Sequence, residues 1–223
     1  MHKLLFCAAL LAACGPLTAE DLAALAAASA SGSAAAPAAD SELALLPSGE
    51  LRASYDFTIE GGHHRSNHDF VARPHLGKRV DRELRFRAVF SPDAAYATQA
   101  PSNQSDWNKL MGLSTDRIHK NSIRIGWRWN PASQRIELGY YGYLDGVRTM
   151  QLLADVAPGQ PIDCVLRMTN AGMSAQAGAA SHSVSGSLGV GFPTTWVLHS
   201  AYFGGDEKAP HRIDVQVSDV WAQ

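Results

Sequence analysis

The sequence predicts an all-β protein, an antiparallel β-sandwich or jelly roll, and three observations lead to that class. From Leu51 onward, short segments rich in β-branched and aromatic residues are separated by clusters of Gly, Pro, Asn and Asp, as strands are separated by turns. Several segments alternate apolar and polar residues, which is typical of a sheet with one buried face. The Asp145-Gly146 pair between two segments is typical of a tight hairpin. Successive strands joined in this way pair antiparallel and pack as a sandwich.

The individual elements follow from the same patterns. The predicted strands are residues 53–60, 83–90, 121–129, 135–143, 148–156, 162–169, 194–203 and 212–220. A short helix is expected at 105–113, with Ser105 as its N-cap. Residues 177–191 are expected to form a loop or a weak strand pair.

Composition limits the size and the partners of the protein. The chain has 223 residues and a formal net charge of −2. This length is enough for one domain with a sizeable core plus appendages. Because the chain has no overall basic charge, no nucleic-acid partner is predicted.

The N-terminus predicts export and lipid anchoring. Residues 1–13 carry one lysine, an apolar run and small residues, as a signal peptide does. The following run, Leu11 to Cys14, resembles the lipobox of bacterial lipoproteins, in which the cysteine is lipidated. We therefore expect lipid attachment at Cys14 and a place in the bacterial cell envelope, in the periplasm or at the outer membrane. The alternative is plain secretion, with Cys14 incidental.

The rest of the chain divides into two parts. Residues 14–50 are mostly Ala, Ser, Pro and Leu and are predicted to be a flexible tether, which leaves residues 51–223 as the jelly-roll domain. Cys164 alternates with apolar residues and is expected to be a buried thiol without a disulfide partner. No second apolar span is long enough for a bilayer, so contact with the membrane is expected through the lipid alone. The oligomeric state is left open.

Two predicted strands have a polar face of unusual composition. In residues 121–130 the core side carries Ile123, Ile125, Trp127 and Trp129, and the other side carries Ser122, Arg124, Gly126 and Arg128. In residues 135–143 the side away from the core carries Glu137, Gly139, Tyr141 and Tyr143. Glycine weakens a strand unless something must approach the backbone closely. Arginine forks, tyrosine rings and glycines together favour a concave sheet that binds a polar, ring-shaped anion. The alternative for outward arginines such as Arg85 and Arg87 is solvated surface charge.

Four motifs in order resemble a known enzyme family. They are KLMGL (109–113), SIR (122–124) running into WRW, YGY (141–143) and YFGG (202–205). The order is similar to that of the concanavalin A-like, jelly-roll polysaccharide lyases of the family-fourteen alginate and glucuronate lyase type, and to a group of bacterial secreted proteins. Met111 stands where the lyases have proline, and the loop before the SIR strand is shorter here.

The resemblance implies a catalytic set and a reaction. The residues that line the active groove of these lyases correspond here to Lys109, Ser122, Arg124, Tyr141 and Tyr143. The implied partner is an acidic polysaccharide. Cleavage is then a β-elimination that needs neutralisation of the uronate carboxylate, a base and an acid. Arg124 suits the first task, while base and acid stay open among Lys109, Tyr141 and Tyr143.

Further groups are expected to contact the substrate or a metal. The expected substrate-binding residues are His63, His119, Arg128 and Tyr202. The HHxxxH run of His63, His64 and His68 is an alternative metal site, and residues 204–211 are an alternative structural Ca²⁺ loop, but the proposed scheme requires no cofactor. Three functions are therefore weighed: a polysaccharide lyase, a non-catalytic carbohydrate-binding lipoprotein, and a structural envelope lipoprotein.

Overall fold

The computed structural model describes residues 44–45, 51–68, 72–75, 82–115, 118–189 and 194–222. The predicted signal peptide, Cys14 and most of the predicted tether lie outside these residues. Residues 44–45, within the predicted tether, form a short strand that pairs with the strand beginning at Leu51. In the described part of the chain, no helix is long and apolar enough to cross a membrane.

Two antiparallel sheets account for the described strands. Sheet A has the order β1-β2-β13-β4-β9-β10-β11. Its strands are β1 (Ala44–Leu45), β2 (Leu51–Ile59), β4 (Arg82–Phe90), β9 (Ile162–Thr169), β10 (Gly172–Ala177), β11 (Ala180–Ser185) and β13 (Ile213–Ala222). Sheet B has the order β3-β12-β5-β6-β7-β8. Its strands are β3 (Ala72–His75), β5 (Asn108–Ser114), β6 (Ser122–Asn130), β7 (Arg135–Leu144), β8 (Val147–Val156) and β12 (Thr194–His199).

The core fills the space between the two sheets and explains the alternation seen in the sequence. From β6 it receives Ile123, Ile125 and Trp127, all fully buried. Sheet A contributes side chains such as Phe86 and Val215 from β4 and β13. Because each strand turns alternate residues to opposite faces, burying one face leaves the other face of sheet B available for polar groups. The prediction of an all-β sandwich is confirmed.

Strands predicted from alternation are present at nearly the predicted bounds, and the hairpin at Asp145-Gly146 joins β7 to β8. Both turn residues have positive φ, 49° and 83°, as a type I′ turn requires. The predicted helix at 105–113 is wrong: a 3₁₀ helix, Pro101–Ser105, precedes strand β5. Part of the region 177–191, expected to be a loop or a weak strand pair, forms β11 and completes a hairpin with β10.

Candidate active site

A cavity of about 460 Å³ lies on the face of sheet B that points away from the core. The catalytic residues that the sequence predicted all line it, together with two of the predicted substrate-binding residues. Its lining residues are Arg65, His68, Lys109, Ile118, His119, Ser122, Arg124, Tyr141, Tyr143, His199, Ser200, Ala201, Tyr202 and Gly205. Side chains far apart in the sequence thus converge on one site.

Strand register explains this convergence. One row across the sheet pairs Ser114 with Ser122 and Ser122 with Tyr143. The next row pairs Gly112 with Arg124 and Arg124 with Tyr141. Residues directly opposite on neighbouring strands project from the same face about 5 Å apart. The S-x-R and Y-x-Y motifs therefore form two adjacent rows of a single surface.

Arg124 is a buried cation at the centre of the cavity. Its residue is 8% exposed, and its Nε has no hydrogen-bond partner among the described residues. Burial lowers the pKa of Arg124 to about 10, which shows that the site penalises the charge it holds. Gly112 makes the placement possible, because a β-carbon there would overlap the Arg124 side chain and the Ile123 carbonyl. The glycine of KLMGL therefore leaves space for the arginine.

Lys109 reaches the same cavity through an irregularity in β5. Leu110 and Met111 together occupy the place opposite one β6 residue, so the strand bulges between Lys109 and Gly112. The Lys109 backbone exchanges two hydrogen bonds of 2.8 Å with Tyr202, which fixes the lysine at this edge. Its ammonium lies 4.8 Å from the ring centre of Tyr141 and 5.9 Å from that of Tyr202. Burial is the larger cause and repulsion from Arg124 the smaller one that together lower the pKa of Lys109 to about 8.

The lowered pKa of Lys109 predicts a pH-dependent stability difference in Lys109→Met. Below pH 8 both the folded and unfolded wild-type chains hold the proton, so the cost of burying the ammonium is fully present. As the pH rises from about 8 towards 10.5, the folded state loses the proton first and wild type gains stability relative to the variant. We expect a relative gain of roughly 3 kcal/mol, because each tenfold change in proton affinity corresponds to about 1.4 kcal/mol. Urea unfolding across this pH range measures the gain, and a pH-independent difference would contradict the assignment.

The two tyrosines form a pair beside Arg124. Their rings meet edge to face, with centres 6.1 Å apart, and His119 stacks on Tyr143 at 5.3 Å. Burial and a hydrogen bond with Tyr143 raise the pKa of Tyr141, so this hydroxyl keeps its proton near neutral pH. Arg148 opposes that effect through a hydrogen bond to Tyr141.

His199 is a cavity residue that the sequence analysis missed. Ser114 Oγ donates to the Thr115 carbonyl at 2.7 Å and lies 2.6 Å from His199 Nε2. Because the hydroxyl has one proton, Nε2 of His199 must carry the hydrogen and donate to Ser114. Burial, together with the charge of Arg124, lowers the pKa of His199 to about 3, so the ring is neutral. The available signal was its position three residues before the YFGG motif.

Arg65 was also missed, and His68, which was named only as an alternative metal ligand, lines the cavity too; a loop rather than a strand places both. Tyr202 forms isolated bridges with Arg65 and with Lys109, so the loop after β2 joins the edge of the site. His64 stacks on Tyr202 at 5.4 Å, and its Nδ1 donates a hydrogen bond of 2.9 Å to the Phe203 carbonyl. These contacts depend on tertiary pairing that no local pattern encodes.

Two predicted substrate-binding residues do not line the cavity. His63 is exposed, and its ring contacts the Gly61 carbonyl at 3.1 Å. Arg128 pairs with Glu137 at 2.6 Å, donates to the Ser105 carbonyl at 2.7 Å and lies 4.5 Å above the ring of Trp107. Arg128 thus anchors a loop instead of facing the cavity.

Trp107 also explains the two glycines on this face. A β-carbon on Gly126 would lie 3.0 Å from the Trp107 ring, and one on Gly139 would lie 2.8 Å from it. The prediction that these glycines make room for a ligand is therefore wrong. The close neighbour is a side chain of the protein itself.

The acidic loop 204–211 has a structural role. Glu207 accepts hydrogen bonds from the backbone N–H groups of Gln99 and Ala100 at 2.8 and 2.7 Å, and from the Asn103 amide at 2.9 Å. These bonds use both carboxylate oxygens of Glu207, and they fix the segment that precedes β5. Within the described ranges, no three His, Cys, Asp or Glu side chains form a group that could hold a metal. The suggested Ca²⁺ loop remains a prediction.

Comparisons with known proteins found similar structures but no match by sequence. No protein-family model matches the chain, and no curated protein matches it either. Solved structures do match: an alginate lyase from Klebsiella pneumoniae has a TM-score of 0.56 and 11% identity over 82% of this chain and 84% of its own.

A second match is an alginate lyase from Pseudomonas aeruginosa, with a TM-score of 0.53 and 13% identity over 77% of this chain and 82% of its own. A third is a family 7 alginate lyase variant in complex with the substrate GGMG, with a TM-score of 0.50 and 8% identity over 81% and 80% of the two chains. The chain has the fold of these alginate lyases. At such low identity, function must be argued from the cavity itself.

Proposed function

We propose that the protein is a polysaccharide lyase that cleaves a uronate-containing polymer by β-elimination. The observation that carries this proposal is the charge of the cavity. Arg65, Lys109 and Arg124 line it, and its described lining includes no aspartate or glutamate. A cavity whose described lining carries several cations and no acidic side chain favours an anionic ligand.

The pairing of arginines elsewhere strengthens that argument. Away from the cavity, Arg85, Arg87, Arg128, Arg135, Arg167 and Arg212 each form an ion pair with a carboxylate. Arg65 and Arg124 have no carboxylate partner among the described residues. Of these two, Arg124 is buried, and keeping a buried guanidinium unpaired costs stability, so such a group is typical of a binding or catalytic site.

The surrounding groups match the steps of an elimination. Arg124 offers two parallel N–H donors to the uronate carboxylate and stabilises the charge that moves onto it when C5 loses its proton. We assign the base to Lys109, because its lowered pKa leaves a neutral amine available near pH 8. We assign the acid to the tyrosine pair, because the raised pKa of Tyr141 retains its proton. The C4–O bond then breaks, its electrons leave with the glycosidic oxygen, and that oxygen takes the tyrosine proton.

The type of lyase and its location are part of the proposal. The set Lys109, Ser122, Arg124, Tyr141 and Tyr143 supports the family-fourteen type, and the fold shared with alginate lyases agrees with an acidic polysaccharide as the partner. Cys14 would attach the mature chain to lipid in the bacterial envelope. That placement keeps the domain beside extracellular or periplasmic polymers.

The test is incubation of the full mature chain with polymers of mannuronate, guluronate and glucuronate, and with a neutral glucan as control. Elimination conjugates the new C4–C5 double bond with the carboxylate, so absorbance near ~235 nm rises with each cleavage. We expect this rise with at least one uronate polymer and none with the glucan. Binding of a uronate polymer without any absorbance change would assign a non-catalytic carbohydrate-binding function instead.

A further inference from the structure

Arg148 is a cation at the edge of the site that neither the motifs nor the cavity lining include. It lies on β8, directly opposite Tyr143 in the β7–β8 pairing. Residues paired in this way project from the same face of the sheet, so Arg148 extends the row formed by Ser122 and Tyr143. Met150 follows in the next row, opposite Tyr141.

Its surroundings point to the tyrosine hydroxyls. The strand pairing places Arg148 beside this tyrosine pair, and interaction with the Tyr141 and Tyr143 hydroxyls raises the pKa of Arg148. In the described chain, no carboxylate forms an ion pair with it, whereas Arg128 and Arg135 of the same sheet pair with Glu137 and Asp155. Arg148 is therefore a cation that lies beside the two phenols and forms no ion pair with a carboxylate of the described residues.

We propose that Arg148 is the counter-ion of the tyrosinate that forms when the tyrosine pair gives up its proton during turnover. This inference rests on the proposed function for its catalytic meaning, but the electrostatic contact exists without substrate. When Tyr141 or Tyr143 donates its proton to the leaving oxygen, a negative charge remains on the phenol oxygen. A guanidinium already beside the hydroxyls stabilises that charge without reorganisation.

Other basic side chains around the pair have different tasks in the proposed reaction. Arg124, opposite Tyr141 on β6, is the proposed partner of the substrate carboxylate. Lys109, which contacts the Tyr141 ring, is the proposed base and is neutral when it begins the reaction. His119 stacks on the Tyr143 ring. Arg148 thus differs from Lys109, which becomes a cation only after it takes the C5 proton, and from Arg124, which holds the substrate carboxylate: it is charged throughout and has no other task in the scheme.

The experiment compares Arg148→Gln with Arg148→Lys, which keeps the charge, and with Arg135→Gln as a matched control. Arg135 is an exposed arginine of the same sheet whose partner is Asp155. The first readout is the near-ultraviolet absorbance of tyrosinate as the pH is raised, with Tyr141→Phe and Tyr143→Phe used to assign the signal. We expect the site tyrosine to ionise at higher pH in Arg148→Gln, the lysine variant to restore most of the difference, and the control to match wild type.

The second readout is the pH profile of polymer cleavage. We expect Arg148→Gln to lower kcat by about tenfold, the size of one exposed charge-assisted contact, and to move the tyrosine-dependent limb to higher pH. The limb moves in this direction whether the tyrosine acts as acid or base, because loss of a cation favours the protonated phenol in both cases. An unchanged tyrosine titration in Arg148→Gln overturns the inference.

The two proposals fail separately. If no uronate polymer is cleaved by wild type, the proposed function fails, while the tyrosine titration still decides whether Arg148 stabilises tyrosinate. If cleavage occurs but its pH profile is identical in wild type and Arg148→Gln, the catalytic role of Arg148 is wrong. Because Arg148 is exposed, the glutamine variant is expected to fold, and its unfolding midpoint verifies this.

Discussion

Replacing Arg124 with methionine is expected to lower the proposed uronate cleavage by about 10²–10³-fold while making the protein more stable. The activity falls because the charge that develops on the substrate carboxylate loses its main donor, and loss of one such donor costs about 10²–10³-fold in kcat. Stability rises because the buried guanidinium, with an Nε that has no partner in the described chain, is replaced by an apolar side chain of similar length. Absorbance of unsaturated product measures the first effect, and urea unfolding measures the second.

Two further variants sharpen this result. Arg124→Lys keeps the charge but loses the planar fork, so most of the activity loss is expected to persist. Arg135→Gln removes an exposed arginine of the same sheet and should leave both activity and stability near wild type. Full activity in the methionine variant would remove Arg124 from the mechanism. Loss of stability in that variant would mean that Arg124 supports the fold instead of the reaction.

Removing the hydroxyl of Tyr141 or of Tyr143 is the change with the next largest expected effect. Each Tyr→Phe variant is expected to lower kcat by about 10²–10⁴-fold, the usual contribution of a positioned acid or base. Substrate affinity should change much less, because the ring and the neighbouring cations remain. Initial rates over a range of polymer concentrations separate kcat from KM.

Tyr140 provides a matched control on the same strand. It points into the core, and its hydroxyl is buried without a hydrogen-bond partner among the described residues. Tyr140→Phe should therefore retain full activity and should be as stable as wild type or more so. Wild-type rates in both Tyr141→Phe and Tyr143→Phe would contradict the elimination scheme. A loss confined to one of them would identify that tyrosine as the proton donor.

The parts of the site that the sequence predicted are those set by strand alternation. Because side chains in a strand alternate between two faces, Ser122 and Arg124 had to share a face with each other, as did Tyr141 and Tyr143. The pairing of β6 with β7 then brought the two sets together. The motif order added Lys109, whose strand was predicted to be a helix.

The errors arise where a local pattern does not determine position. In β5 the bulge buries the neighbours Leu110 and Met111 together, which breaks the alternation and imitates a helical period. Arg128 lies on the same face as Arg124, as alternation predicted. Alternation does not specify the distance from the cavity along the strand, and Arg128 stacks on Trp107 instead of reaching the cavity. Arg65 and His199 reach the cavity through long-range pairing, which depends on the folded topology.

The packing of the Trp107 ring on Gly126 and Gly139 has a practical consequence for redesign. Beneath the indole both strands present only backbone, so exchanging this one ring for a small side chain would expose a flat strip of sheet B at Gly126 and Gly139. If the proposed function holds, the length of polymer that this face contacts is therefore adjustable at a single loop position. Variants at residue 107 alone would change this surface while the residues of the cavity stay as they are.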